Sequence, residues 1–149
     1  MANTYTQIYL QIVFSVKGRQ HLVQKSWKDE LYKYICGIVN GKGQKVYAIG
    51  GVSDHIHILI SLKANIAVSD LVRDIKANSS KWINEKGFIK SKFQWQEGFG
   101  AFSYAQSQLD RVIAYINNQE EHHRKRTFKE EYIEFLQDYQ IDFDERYLF

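Results

Sequence analysis

Two histidines separated by a single residue, His55 and His57, are the first candidates for chemistry in this sequence. Isoleucines alternate with them along residues 53–60, which is the period-two pattern of a strand with one apolar face. Because side chains two apart share a face, both imidazoles point the same way, ~7 Å apart along the strand. Two such imidazoles can hold one divalent metal ion. Two polar residues on a solvated sheet face would give the same pattern.

A tyrosine on a predicted helix over 107–125 is the second candidate. Its apolar stripe has the spacing i, i+3, i+4, i+7, formed by Leu109, Val112, Ile113 and Ile116. At 3.6 residues per turn, Tyr115 points roughly 100° away from the centre of that stripe. Gln119 and His122 share its face. A half-buried tyrosine at the rim of a core, with solvated neighbours, is the other interpretation.

Together the two motifs contain the parts of a phosphoryl-transfer site. Tyrosine can act as a covalent nucleophile, but with an ordinary pKa of ~10 its hydroxyl needs help at neutral pH. A metal held by His55, His57 and the amide oxygen of Gln119 could supply that help by polarising a phosphate. Such a mixed site suits Mn²⁺ better than Mg²⁺ by ligand softness, and both stay candidates. The role of His122 is open: a bystander, a base or a metal neighbour.

The composition is that of an intracellular globular protein of one domain, residues 1–149. The chain has 44% hydrophobic and 25% charged residues and a net charge of +3, which permits a polyanionic partner. Its one cysteine, Cys36, cannot form an internal disulfide, so a reducing cytoplasmic setting fits. The sequence contains no signal peptide pattern, no apolar run of membrane-spanning length and no phosphate-binding glycine loop.

The order of the predicted elements is β-α-β-β-α-β with additions near the C-terminus. The patterns predict strands over 4–16, 44–51, 53–60, 93–97 and 98–103, and helices over 26–40, 67–86, 107–125 and 127–137. This order fits an α+β fold, a ferredoxin-like or RRM-like antiparallel sheet of four or five strands with helices on one face. The C-terminal helices carry the tyrosine. We expect the other sheet face, with both histidines, to be open, and the aromatic tail to dock on the body or on a partner subunit.

Several of these motifs resemble a known family. Residues 54–59 resemble the His-hydrophobic-His motif of the HUH nucleases, and residues 115–119 resemble the Tyr-x-x-x-Gln motif of single-tyrosine transposases of the insertion-sequence 200/605 group. The resemblance covers nearly the whole chain. It includes residues 12–15, 95–103, 121–123 and 144–148.

The resemblance implies a mechanism and its partners. Tyr115 would attack a phosphodiester in single-stranded DNA, keep the 5′ phosphate as phosphotyrosine and release a 3′-OH that can later rejoin strands. His55, His57 and Gln119 would hold the divalent metal, Mg²⁺ or Mn²⁺. The family recognises DNA hairpins near the ends of its elements and works as a homodimer, in some members with the tyrosine helix serving the partner's histidines. No membrane is involved.

The DNA-contacting residues are less defined by the sequence. The candidates for phosphate contacts are Lys17, Arg19, Arg73, Lys76 and Lys81. Tyr5 and Tyr9 could stack on bases from the open sheet face. Solvated or packing roles are the alternative for each, and the basic residues 124–126 also fit a favourable helix C-terminal charge.

Three other functions remain open at this stage. A domesticated relative would process chromosomal palindromes by the same chemistry without moving its own gene. A non-catalytic nucleic-acid-binding module on the same architecture would not need Tyr115. A metal-dependent hydrolase would use His55 and His57 to activate water and would form no protein–DNA adduct.

Overall fold

Four antiparallel strands form the frame of the molecule in the computed structural model, which describes residues 3–149. The strands lie in the order β2-β3-β1-β4, which is the ferredoxin-like arrangement predicted from the sequence. The elements are β1 (Tyr9–Ser15), α1 (Lys25–Gly41), β2 (Lys45–Val52), β3 (His55–Ser61), α2 (Val68–Lys86), β4 (Gly100–Tyr104), α3 (Leu109–Asn117), α4 (Gln119–His122) and α5 (Phe128–Asp138). Among residues 3–149, no helix combines the length and the apolarity needed to cross a membrane.

The main core lies between the sheet and the two long helices. Ile56, Ile58 and Ile60 of β3 point to this side and are fully buried against α1 and α2. The helices contribute apolar stripes at helical spacing, with Leu31 and Ile75 at their centres. Burial of each such side chain contributes about 1.5–3 kcal/mol, so this layer holds the sheet in place.

The opposite sheet face is covered, and the prediction that it would be open is wrong. Helices α3 and α5 lie over it, and His55 and His57 are only 1% and 0% exposed. The helices must bury apolar stripes of their own: Val112 and Ile116 pack on Leu59, while the stripe of α5 packs around Val13. Polar residues in alternation on β3 suggested contact with water, but here they face other protein groups.

The predicted helix over 107–125 is interrupted. Asn118 leaves the helical region at φ −109° and ψ 25°, so that α3 ends at Asn117 and α4 begins at Gln119. Asparagine tolerates such breaks because its side chain competes for backbone hydrogen bonds. The C-terminal end of α3 lies directly on Gly50 of β2, where any Cβ would collide with the carbonyl of Ile116. The break turns Gln119 into the protein, where it is 1% exposed.

Three further predictions have definite outcomes. The first strand begins at Tyr9 rather than at residue 4. The strand predicted over 93–97 is reduced to a single bridge between Val16 and Trp95. The tail docks on the body as expected, since Leu148 is 8% exposed in a cluster with Phe128.

Candidate active site and metal centre

The two histidines project side by side from β3 towards α5. Their ring centroids are 5.0 Å apart. The Nδ1–H of His55 donates to Asp54 Oδ1 at 2.7 Å, and that of His57 donates to Gln11 Oε1 at 2.6 Å. Outer partners of this kind fix the ring orientation and leave each Nε2 as the free ligand atom.

The carboxylate of Glu131, from α5, lies at the point where the imidazoles converge. Its Oε1 lies 3.1 Å from His57 Nε2, 3.3 Å from His55 Nε2 and 3.1 Å from His123 Nε2. Its Oε2 accepts hydrogen bonds from the Tyr115 hydroxyl and, at 3.2 Å, from Gln119 Nε2. The Glu131 side chain is fully buried, and its carboxylate joins the buried His55 and His57 to the partly buried Tyr115.

The predicted third ligand, Gln119, is also in this cluster. Its Oε1 lies 3.0 Å from His55 Nε2 and 3.1 Å from His123 Nε2. The structure therefore brings together Tyr115, His55, His57 and Gln119, the four residues singled out from the sequence.

The donor set fits a divalent cation. One ligand atom each from His55, His57 and Glu131 lies within 4.8 Å of the others, and all three side chains are buried. Two imidazoles and a carboxylate form a mixed nitrogen and oxygen set, which favours a borderline ion such as Mn²⁺ over Mg²⁺. The Gln119 oxygen faces the same nitrogen of His55 and offers an alternative or additional ligand.

Burial and pairing shift the pKa values of the cluster in opposite directions. Burial lowers the pKa of His57 to about 4, so this imidazole is a neutral, ligand-ready base. Burial also opposes charge on His55, but hydrogen bonds to Asp54 and Glu131 outweigh it and raise the pKa of His55. The surrounding histidines hold the pKa of Glu131 well below its usual range despite its burial. Pairing with Asp54 and Glu131 therefore favours the charged form of His55, whereas burial favours the neutral form of His57.

Tyr115 is partly buried beside the histidines of its own chain. Its ring centroid lies 5.9 Å from that of His57 and 4.5 Å from that of His122. Burial, followed by the nearby Glu131 charge, raises the pKa of the Tyr115 hydroxyl. Arg126 Nη2 donates to the same oxygen at 3.3 Å and works in the opposite sense. The hydroxyl thus meets one group that orients it and one that favours its anion.

The cations predicted to contact DNA lie in several places. Lys17 is exposed, and Arg19 lies over the Phe149 ring at 4.8 Å. Arg73 and Lys81 lie on the exposed surface of α2. Lys76 Nζ is already occupied, because it donates to the carbonyls of three consecutive residues, Gln96, Glu97 and Gly98.

The aromatic residues proposed to stack on bases differ in exposure. Tyr5 is 89% exposed, whereas Tyr9 is 8% exposed. A ring as buried as that of Tyr9 offers no face on which a base could stack.

The sequence reasoning missed several site residues, above all Glu131 and His123. A signal for Glu131 was present: it lies at a stripe position of α5, between the buried Phe128 and Tyr132. A carboxylate at such a position is rarely buried without a partner. The second histidine of the 122–123 pair, rather than the first, contacts the Glu131 carboxylate.

The comparisons with known proteins place the chain in a family. A family model described as "Transposase IS200 like" matches residues 4–119, and the chain therefore belongs to the IS200-like transposase family. The match includes His55, His57, Tyr115 and Gln119 and ends before α5 and Glu131. No curated protein sequence matches this chain.

Two solved structures share the fold. One, described as a candidate transposase from Deinococcus radiodurans R1, has a TM-score of 0.65 at 16% identity, covering 80% of this chain and 95% of its own. The other, a REP-associated tyrosine transposase bound to a REP hairpin, has a TM-score of 0.62 at 15% identity, covering 83% and 73%. At such identities the likeness concerns the fold.

Proposed function

We propose that this protein cleaves and rejoins single-stranded DNA at the ends of an insertion sequence through a covalent bond between Tyr115 and a 5′ phosphate. One observation carries the proposal: the Tyr115 hydroxyl and the imidazoles of His55 and His57 contact the same buried carboxylate, that of Glu131. A nucleophile and a cation site at this separation are what transfer of a phosphoryl group requires. Membership of the transposase family supports the same chemistry.

The bond changes in the proposed reaction are balanced without a nucleotide cofactor. The Tyr115 oxygen forms a bond to phosphorus, the bond to the 3′ oxygen breaks, and the phenolic proton is released while the 3′ oxygen takes one up. Glu131 orients the hydroxyl, and Arg126 favours the phenolate. Attack by a 3′-OH on the phosphotyrosine reverses the sequence and joins strands, so bond energy is conserved.

His55, His57 and Glu131 would hold the divalent cation, with Gln119 as the further ligand. When bound, such a cation neutralises charge on the phosphate oxygens. Asp54 and Gln11 keep the two imidazoles in the tautomer that binds metal. We propose Mg²⁺ or Mn²⁺.

The proposed substrate carries a hairpin, and the proposed active form is a homodimer. The fold is shared with a REP-associated tyrosine transposase that was solved with a REP hairpin, and this supports hairpin recognition here. Excision of an element needs two cleavages, whereas each chain offers one Tyr115. A pair of chains therefore suits the reaction.

A second candidate function is the processing of chromosomal palindromes by the same chemistry without movement of the gene. The shared fold with a REP-associated enzyme favours it. The two functions differ in where the hairpin repeats lie. Repeats that flank only this gene indicate a mobile element, and repeats scattered through the genome indicate the processing role.

A covalent-adduct assay tests the proposal. Single-stranded oligonucleotides from both flanks of the gene are incubated with protein and Mn²⁺ or Mg²⁺ and separated on denaturing gels. We expect a metal-dependent shifted band that is lost in Tyr115→Phe and retained in Tyr139→Phe, whose hydroxyl donates to the Ser103 carbonyl. Cleavage without an adduct would identify a hydrolase. Hairpin binding with neither cleavage nor adduct would identify a binding module.

A further inference from the structure

A broad groove of about 1040 Å³ opens beside the candidate active site. One wall is the segment from Gly18 to the first turns of α1, and the other is the segment from α4 into α5. The turn between β2 and β3 forms its floor, with Ser53 and Asp54. Its volume is at the upper end of the ~300–1,000 Å³ typical of small-molecule pockets, and it suits an extended ligand.

The groove is strongly cationic. Its lining contains six basic side chains, Arg19, Lys25, Lys28, Arg124, Lys125 and Arg126, and three carboxylates, Asp54, Glu120 and Glu130. The resulting net charge of this lining equals the +3 of the entire chain. A concave surface with this concentration of charge attracts a polyanion.

The six cations differ in how far they are already paired: Arg124 lies 3.3 Å from Glu121, and Arg126 contacts Glu134, whereas others are free or weakly paired. Among residues 3–149, Arg19 and Lys125 form no salt bridge with any carboxylate. The ammonium groups of Lys25 and Lys28 lie 3.8 and 2.9 Å from the carboxylate oxygens of Glu120. The Glu120 side chain is half exposed. The Lys25–Glu120 pair is exposed on both sides and contributes little, about 0–1 kcal/mol, so a phosphate can replace the carboxylate there.

The groove leads to the candidate nucleophile. Asp54 and His123 in its lining contact His55 and Glu131 directly. Arg126 lines both this groove and a smaller cavity of about 200 Å³ that contains Tyr115. A chain lying in the groove would therefore reach the Tyr115 hydroxyl by passing Arg126.

We propose that this groove binds the single-stranded DNA segment next to the phosphate that Tyr115 attacks. The proposal rests on the proposed function for the identity of that phosphate. Cations line the groove, and Phe128, the one aromatic ring of phenylalanine, tyrosine or tryptophan type in its lining, is buried. The contacts are therefore to the sugar-phosphate backbone, and binding here depends on charge rather than on base sequence.

The test compares two double variants that remove the same charge. Lys25→Gln/Lys125→Gln changes one lysine on each wall of the groove. Lys86→Gln/Lys90→Gln changes two exposed lysines at and beyond the end of α2, outside the groove lining. The probe is a fluorescent 20-nucleotide oligothymidylate without a hairpin, titrated in EDTA by fluorescence anisotropy at several salt concentrations.

We expect the groove variant to bind roughly tenfold more weakly at low salt, and the slope of log K against log salt to fall by about 1.4, since each lost single-strand phosphate contact contributes ~0.7. The control variant should match the wild-type protein. Equal binding and slope in all three proteins would overturn the proposal, as would absence of oligothymidylate binding by the wild type. A groove variant that loses only hairpin binding would also overturn it. Matching urea midpoints exclude misfolding.

This readout needs no cleavage, so it separates the two proposals. If Tyr115 forms no adduct but the groove variant still loses oligothymidylate binding, the proposed chemistry fails and the groove stands. If the adduct forms and both double variants bind oligothymidylate like the wild type, the groove assignment fails and the chemistry stands.

Discussion

The two faces of the sheet are built from the same strands but packed in different ways. On the side of α1 and α2, buried residues form one continuous apolar cluster that includes Ile56, Ile58 and Ile60. On the side of α3 and α5, two smaller clusters flank a buried polar group of His55, His57 and Glu131. Neighbouring residues on β3 alternate between these two environments.

The difference shows how stability and chemistry are separated in this fold. Apolar burial on one face supplies the free energy of folding, since it needs no partner geometry. Buried charges on the other face cost free energy unless they are paired, and they are kept for a reason other than stability. Substitutions at adjacent positions of β3 should therefore have different consequences.

The largest effect is expected at the polar face. His57→Ala should abolish cleavage, because it removes one imidazole of the cation site. The variant should still bind single-stranded DNA, since the basic groove is unaltered. Denaturing gels measure the cleavage, and anisotropy measures the binding. Loss of folding in both His57→Ala and His55→Ala would instead give the histidines a structural role.

The matched change one residue away tests the apolar face. Ile58→Ala should lower the free energy of unfolding by about 2–5 kcal/mol, because it leaves a cavity in a fully packed layer. Urea denaturation measures this loss. Adduct formation per folded molecule should stay near wild type at low temperature. A variant that folds normally but forms no adduct would show that the two faces are not separable.

A smaller effect separates the two possible third ligands of the cation. Glu131→Gln should weaken Mn²⁺ binding by at least about 10-fold, the minimum cost of losing even an outer partner of a ligand, since it removes the negative charge between the imidazoles. Gln119→Ala should weaken it less, because a neutral amide oxygen is the weaker donor. Isothermal titration calorimetry of both variants measures the difference. The reverse order would make Gln119 the principal ligand, as the sequence motif implies.

The fold was largely predictable because its signals are local. The period-two pattern of β3 and the helical stripes of α1 and α2 need no tertiary information. The interruption at Asn118 was missed, because the apolar stripe extends only to Ile116 and does not define the path of the next turn. The covered sheet face was missed because a histidine that faces a buried carboxylate has the same sequence pattern as one that faces water.

The candidate site was predictable where residues belong to short motifs. His55 and His57 lie two residues apart on one strand, and Tyr115 and Gln119 lie four residues apart in the sequence. Glu131 was missed because it comes from a separate helix that packs on the site only in the folded chain. Long-range packing of this kind leaves no spacing rule in the sequence.

The smallest expected effect is the pH dependence of Mn²⁺ binding, because the cation must displace a proton from His55. The pKa of His55 is raised from its ordinary 6.5, whereas that of His57 lies at about 4, so near neutrality His55 alone of this pair competes for protons. Mn²⁺ affinity should therefore increase between pH 6 and 8, by at most about tenfold per pH unit, with release of one proton.

Calorimetry in two buffers of different ionisation enthalpy counts that proton. Asp54→Asn removes the carboxylate that raises the His55 pKa, so its affinity should level off at a lower pH. Affinity that does not change between pH 6 and 8 in the wild type would mean that His55 is not a ligand. In that case the polar face would hold its cation without the imidazole of His55.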